Sequence, residues 1–328
     1  MFRALLLDQT ADGMTTEVVE LDDDRLPDGD VTVDVEWSSL NFKDGMVLKG
    51  QGRLVRDYPH VPGIDLAGTV AASADERFAP GDQVVLTGWR VGEIWWGGYA
   101  TRAKVKADWL TRLPDGLTTR QAMAVGTAGF TAVMAVDQLE RHGIGAGDPV
   151  LVTGAAGGVG STAVNALARL GAEVTASTGR VDAEGDALRA LGATHVLDRA
   201  EVADAPTRPL LSERWAGCVD AVGSATLAHV LAEVRYGGAV AACGLAGGND
   251  LPTSVVPFLL RGITLYGIDS VMCPPERRAH VWQRTAELVD LDHLESMTSE
   301  VGLDELPALA DEILAGRTRG RVVVRTAP

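Results

Sequence analysis

The residues with the clearest chemistry are Gly154-Ala155-Ala156-Gly157-Gly158-Val159-Gly160, which follow the apolar run Pro149-Val150-Leu151-Val152 and open an alanine-rich stretch. Residues without side chains let a backbone approach a pyrophosphate, and the helix start behind them offers free N–H groups and the positive end of a dipole. The strict spacing is AxGxxG, with Ala155 in place of a first glycine. Because the turn sits between a strand and a helix that leads to a second strand, it predicts a dinucleotide cradle rather than a bare structural turn. Ala155, Gly157, Gly158, Val159 and Gly160 are its candidate contacts. About twenty residues on, where a carboxylate would hold the ribose 2′-OH of NAD, stands Ser177-Thr178-Gly179-Arg180. An arginine without a carboxylate suits a 2′-phosphate, so the expected cofactor is NADPH, held through Ser177, Thr178 and Arg180. The plain alternative for Arg180 is a solvated surface charge. Arg199, after the next strand, is placed near the adenosine.

These residues need two kinds of element around them. From 1 to about 120, short β-branched runs such as VTVDVEW (31–37) and DQVVLTGW (82–89), separated by proline and glycine turns, predict a β-rich lobe. Over 118–140 the period becomes helical, which predicts a linking helix. From 149 strands and helices alternate: PVLVTG, a helix over about 158–170, EVTASTG, a helix through ALRALG, then THVLD, CVDAVG and AVAACG. That rhythm implies parallel crossovers and a doubly wound α/β sheet. A helix over 275–289 and a strand over 321–326 close the chain. The expected domains are 1–120, 121–265 and a return segment 266–328, with the nucleotide lobe inserted and the active site in the interlobe cleft.

Composition narrows the function classes. At 328 residues with 46% hydrophobic and 23% charged content, the chain reads as two soluble globular lobes. A formal charge of −16 argues against nucleic acid and anionic membranes as partners, so any phosphate ligand must meet a local basic patch. Cys218, Cys243 and Cys273 show no zinc-ligand spacing and no disulfide framework, which points to no metal and a reducing cytoplasm. MFRALLLDQT reads as a strand rather than a secretion signal, and no apolar stretch is expected to span a bilayer. The glycine clusters WWGGY (95–99) and GLAGG (244–248) suggest turns and close backbone approach to a ligand.

The segments SSLNFKDGM (38–46) and PGIDLAGTV (62–70), with the nucleotide turn, resemble the medium-chain dehydrogenase/reductase superfamily. Zinc alcohol dehydrogenases carry GHE where this chain has Gly63-Ile64-Asp65, which places it among the zinc-free members. Longer strings, LTGWRVGEIWWGGYA, GTAGFTAV, VTGAAGGVGSTAV, STGR, YGGAVAACGLAGG and DSVMCPPERRAHVWQR, are similar to the YhdH-type branch of NADPH-dependent acrylyl-CoA reductases, often labelled quinone oxidoreductases. The resemblance implies a Rossmann lobe inserted in a GroES-like catalytic lobe, a homodimer, and reduction of acrylyl-CoA to propionyl-CoA. It also implies that Asn41, Asp44 and Thr127 face the nicotinamide and substrate, and that Gly244, Leu245, Asp269 and Ser270 lie on the cofactor side. Asn41 and Asp44 could equally form a hydrogen-bonded turn, and Thr127 a helix start. Many relatives have tyrosine where this chain has Phe42; if that phenol donates a proton in them, the donor here is another group or water. Trp95 and Tyr99, with Trp96, could wall an acyl pocket or be core; Arg53, Arg56, Arg277 and Arg278 are candidates for CoA phosphates or plain surface charges. The competing readings are a quinone or general enone reductase and a catalytically idle NADPH-binding protein, separated by NADPH oxidation with enoyl-CoA or quinone.

Overall fold

The computed structural model describes residues 1–11 and 13–327. The chain divides into two units: Met1–Thr127, Ser270–Ala286 and Leu294–Pro328 form the first, and Ala128–Asp269 with Glu287–His293 the second. The boundaries therefore lie at Thr127 and Asp269 rather than at 120 and 265. Glu287–His293, expected in the return segment, goes to the second unit, because Asp290 N–H donates to Asn165 Oδ1 (2.8 Å) and Arg169 donates to the Glu287 carbonyl (3.3 Å).

In chain order the elements are the hairpin β1 (Phe2–Thr10) and β2 (Gly13–Leu21), β3 (Val31–Ser39), α1 (Phe42–Leu48), β4 (Asp65–Ser73), β5 (Gln83–Thr87), β6 (Arg102–Val105), β7 (Thr111–Arg112) and α2 (Thr119–His142). Then come β8 (Pro149–Val152), α3 (Gly158–Arg169), β9 (Glu173–Thr178), α4 (Val181–Ala190), β10 (His195–Asp198), β11 (Trp215–Asp220), α5 (Ser224–Glu233), β12 (Val234–Ala242), α6 (Val256–Arg261) and β13 (Thr264–Gly267). The chain closes through α7 (Pro275–Leu288), α8 (Leu291–Ser296), β14 (Thr298–Gly302), α9 (Leu306–Leu314) and β15 (Arg321–Arg325).

In the first unit β3 alternates as its sequence requires: Val31, Val33 and Val35 are buried while Asp34 is exposed. Its valines pack with Leu66, Val70, Val84 and Leu86 from β4 and β5. The sheet runs β14-β15-β3-β4-β5-β7, with β6 also paired to β3. Antiparallel pairing of β15 with β3, Val323 opposite Ser39, brings the far end of the chain to the residues that precede α1.

The helical period over 118–140 hides a break. Gly126 (φ 54°, ψ −165°) interrupts α2, and a Cβ there would lie 2.7 Å from Arg321 Nη2 and 2.8 Å from Asp65 Oδ2, so only glycine fits. Contrary to the expectation that no stretch could span a bilayer, α2 is long and apolar enough by length and composition; 83% of its apolar window is buried, which makes it a core helix.

The second unit carries a sheet in the order β10-β9-β8-β11-β12-β13, parallel throughout. Its order reverses between β8 and β11, the switch point where such sheets bind ligands outside their carboxyl ends. Leu151, Cys218 and Val240 from the sheet pack against Leu227, Val230 and Leu231 of α5.

Candidate active site

Because all six strands of the second unit run the same way, their carboxyl ends share one edge. That brings together the turn after β8, Ser177–Arg180 at the end of β9, Arg199 after β10, Gly244 and Leu245 after β12, and Asp269 after β13. At the switch point Thr153 Oγ1 donates to Asp220 Oδ1 (2.6 Å) and accepts from Ala221 N–H (3.1 Å), while Asp220 Oδ2 accepts from Gly223 N–H (2.8 Å). Sequence reasoning missed Thr153 and Asp220; their signal is a polar residue ending an otherwise apolar strand.

The glycines of the turn have different jobs. A Cβ on Gly160 would lie 2.3 Å from the Gly154 carbonyl oxygen and 2.6 Å from Ala155 Cα, so Gly160 exists for helix–strand packing. A Cβ on Gly157 would meet only the Gly154 oxygen at 3.3 Å, and Gly157 faces solvent. The first intrahelical bond after the turn runs from Ser161 N–H to the Gly157 carbonyl (2.8 Å), which leaves the N–H groups of Gly158, Val159 and Gly160 ahead of it. These features fit a pyrophosphate cradle. Ala155 is corrected: it is fully buried, with its N–H donated to the Ser177 carbonyl (3.0 Å), so it shapes the turn without presenting a surface to a ligand. Arg199 lies across Gly179, where a Cβ would meet its Nε at 2.6 Å, and the exposed Arg180 has Glu184 at 3.9 Å. Two guanidinium groups thus flank the turn after β9.

In the first unit the candidates Asn41 and Thr127 converge on Asp65. Its Oδ2 accepts from Ser39 Oγ (2.6 Å), Asn41 Nδ2 (2.9 Å) and Thr127 N–H (2.8 Å), and its Oδ1 accepts from Thr127 Oγ1 (2.5 Å). Arg321, also buried, donates to Asn41 Oδ1 (3.2 Å) and to the Ala124 carbonyl (2.8 Å). Asp65, Ser39, Gly126 and Arg321 were not picked out as site residues. Asn41 and Asp44 are corrected from groups facing the chemistry to scaffold. Asn41 uses both ends of its amide inside the network, and the fully buried Asp44 accepts from Asn41 N–H and Ile64 N–H (both 2.9 Å), capping α1. Among the described residues no group of three or more His, Cys, Asp or Glu is arranged to hold a metal ion; at the GID triplet Ile64 offers no donor atom and Asp65 is saturated.

Other candidates fall elsewhere. Tyr99 is fully buried, its hydroxyl donating to the Ser39 carbonyl (3.1 Å), and burial raises its pKa well above the phenol range, so it is neither pocket wall nor accessible acid. Trp95 packs on Trp109 with ring centres 5.2 Å apart and Lys106 over both rings. The WWGGY glycines pack backbone to backbone on Pro62–Asp65, which corrects their reading as ligand approaches, while a Cβ on the half-buried Gly244 would meet Ala221. Arg278 is no phosphate contact: it is 1% exposed and donates to the carbonyls of Thr87, Ser270, Val271 and Cys273. Ser270 belongs to the first unit and gives its carbonyl to that clamp. Arg53 and Arg56 are exposed and Arg277 half-buried.

Burial, with the neighbouring Asp65 carboxylate, pushes the Asp44 carboxyl up to about 7. A value raised in the folded state means the protonated form favours folding, so this contribution is full below 3.8 and is lost as pH rises through about 7. The expected result is a denaturation midpoint that falls over that window in the wild type and falls less in Asp44→Asn. An identical pH slope in both proteins would contradict the assignment.

Residues 158–289 match the family model described as zinc-binding dehydrogenase, and residues 27–115 match the alcohol dehydrogenase GroES-like domain. Acrylyl-CoA reductase AcuI of Ruegeria pomeroyi is 57% identical over 327 residues, 99% of each chain. The crystal structure of the yhdH oxidoreductase from Salmonella enterica in complex with NADP has a TM-score of 0.95 at 50% identity, covering 98% of this chain and 99% of that one. Bacillus subtilis protein yhfP, solved with NAD bound, has a TM-score of 0.94 at 44% identity, covering 99% of both chains. The chain belongs to the medium-chain dehydrogenase/reductase superfamily, in the branch of AcuI and yhdH, with a GroES-like unit and a Rossmann unit.

Proposed function

We propose that this chain is an NADPH-dependent reductase that converts acrylyl-CoA to propionyl-CoA without a metal. The observation that carries the reading is its 57% identity, end to end, with acrylyl-CoA reductase AcuI. Bound NADPH supplies the hydride equivalent that the β-carbon receives. The chain's own residues do the rest. Gly157 and the N–H groups at the start of α3 hold the pyrophosphate, and Arg180 and Arg199 take the 2′-phosphate. Asp65 fixes Thr127: since that hydroxyl's proton goes to Asp65 Oδ1, Thr127 acts toward a ligand as an acceptor, suited to an amide N–H and unable to protonate substrate. Of the arginine candidates, exposed Arg53 and Arg56 and half-buried Arg277 remain for CoA phosphates. The enzyme works in the cytoplasm as a homodimer in this reading, supported by the exposed Val255, Leu259 and Leu260 at and before α6, which leads into the edge strand β13. Comparing NADPH consumption with acrylyl-CoA and with a simple quinone tests the substrate class; turnover of the quinone alone would replace this reading with a quinone reductase.

The NAD-bound relative makes cofactor choice a separate test. Arg199→Ala and Arg180→Ala are each expected to weaken NADPH by about 1.5–3 kcal/mol, the value of a hydrogen bond to a charged group, and to leave NADH nearly unchanged. Titrations of both cofactors check this, and equal weakening of the two would remove these arginines from the 2′-phosphate.

A further inference from the structure

The first unit presents, besides Met1, three exposed large apolar side chains among the described residues: Phe42 (57%), Ile94 (43%) and Met272 (53%). All three sit on segments joined to one ion pair. Phe42 precedes Lys43, whose Nζ lies 3.0 Å from Glu93 Oε1, and Ile94 follows Glu93. Met272 follows Val271, whose carbonyl accepts from Trp89 N–H (2.8 Å) in the same loop as Glu93. Glu93 is 6% exposed and also has Arg90 at 3.7 Å, whereas Lys43 keeps a third of its side chain in solvent.

The loop that carries Glu93 is strained. Gly88, Trp89, Arg90 and Gly92 all have positive φ, at 83°, 56°, 60° and 77°, and for a residue as bulky as tryptophan this backbone is unfavourable. It is held by the buried Arg278, which binds the Thr87 carbonyl on one side and those of Ser270, Val271 and Cys273 on the other. Strain fixed in this way collects where a side chain must be aimed. The residue aimed is also unusual for the chain, which uses lysine at four positions and arginine at 25. An ammonium is a compact charge that suits a single small oxygen, whereas a guanidinium suits a two-oxygen anion.

We infer that Lys43, oriented by Glu93 on segments that also expose Phe42, Ile94 and Met272, donates to the thioester carbonyl oxygen of the substrate and stabilises the enolate. The inference rests on the acyl-CoA reading above. As the β-carbon gains its hydride, the C=C pair moves toward the α-carbon and carbonyl, and the thioester oxygen takes the charge beside the Lys43 ammonium. The carbonyl then re-forms as the α-carbon takes a proton from solvent. Glu93 is a positioning residue, and the exposed Phe42, Ile94 and Met272 are apolar surface offered to the short acyl chain.

The test uses two ligands, propionyl-CoA and S-propyl-CoA, which differ by the carbonyl oxygen, titrated calorimetrically into the full-length protein without nucleotide. Wild type is expected to prefer the thioester by about 10-fold or more, the scale of a hydrogen bond to a charged donor. Lys43→Met should abolish the preference and Lys43→Arg keep only part of it, since a guanidinium matches a single carbonyl oxygen less well. Glu93→Gln should reduce it while its NADPH affinity stays at the wild-type value. In turnover with acrylyl-CoA, Lys43→Met should lose kcat on the order of 10²-fold, as when an oxyanion donor is removed. A thioester preference that survives in Lys43→Met overturns the inference. So does unchanged kcat in that variant, with wild type still reducing acrylyl-CoA. Wild type that reduces no enoyl-CoA overturns the acyl-CoA reading and this inference together.

Discussion

Gly157→Val is expected to fold normally and to lose tight NADPH binding and turnover together. In the folded chain the new Cβ meets one atom, the Gly154 oxygen at 3.3 Å, so the turn accommodates it. Its γ-carbons then project from an exposed position beside the free N–H groups of α3, into the volume a pyrophosphate needs. Overpacking of that kind costs up to about 3 kcal/mol, which is roughly 10²-fold in affinity. Gly160→Val provides the contrast. There the Cβ itself collides with backbone at 2.3 and 2.6 Å, so the second unit should fail to pack at all. Titrating NADPH fluorescence, with circular dichroism as the folding control, separates the two; a folded Gly157→Val protein with wild-type affinity would show that this turn is not the phosphate cradle.

The largest stability effect is expected at Asp65. Its removal in Asp65→Ala leaves Ser39 Oγ, Asn41 Nδ2 and both donors of Thr127 without their acceptor, and leaves the buried Arg321 without a carboxylate among its neighbours except Asp44. Breaking a buried charge network by deleting one member costs about 3–5 kcal/mol. Asp65→Asn keeps shape and an acceptor oxygen but loses the charge, so a smaller loss of about 1–2 kcal/mol is expected, since charge-assisted bonds are roughly twice as strong as neutral ones. Six of the seven tryptophans, all but Trp215, lie in the first unit, so tryptophan fluorescence during urea unfolding reports on this network. Equal midpoints for wild type and Asp65→Ala would contradict the role given to the carboxylate.

The Rossmann half was legible in the sequence because its signals are local. β8, the glycine turn and α3 are contiguous, and the alternation of apolar strands with helices dictates one parallel sheet whose carboxyl ends meet. The GroES-like half hides its logic. Asp65 receives donors from Ser39, Asn41 and Thr127, 24 to 62 residues away in the chain, and no spacing rule connects them. Arg278 looks like any helical surface charge until β5 and the 270–273 segment bring it four carbonyls. Gly126 is invisible in a helical period, because the period is set by apolar side chains while the kink is set by what crowds one Cα. The glycines of WWGGY signalled close approach correctly but not its partner, which is the backbone of Pro62–Asp65.

The central claim is that this chain reduces the carbon–carbon double bond of acrylyl-CoA with NADPH and without a metal. The most direct test incubates purified protein, treated with a chelator, with NADPH and acrylyl-CoA, and follows the CoA thioester by mass spectrometry beside NADPH absorbance. Propionyl-CoA is expected in one-to-one proportion to NADPH consumed, undiminished by the chelator. Acrylyl-CoA left unconsumed while NADPH is oxidised by a quinone, or activity that disappears with the metal, would contradict it.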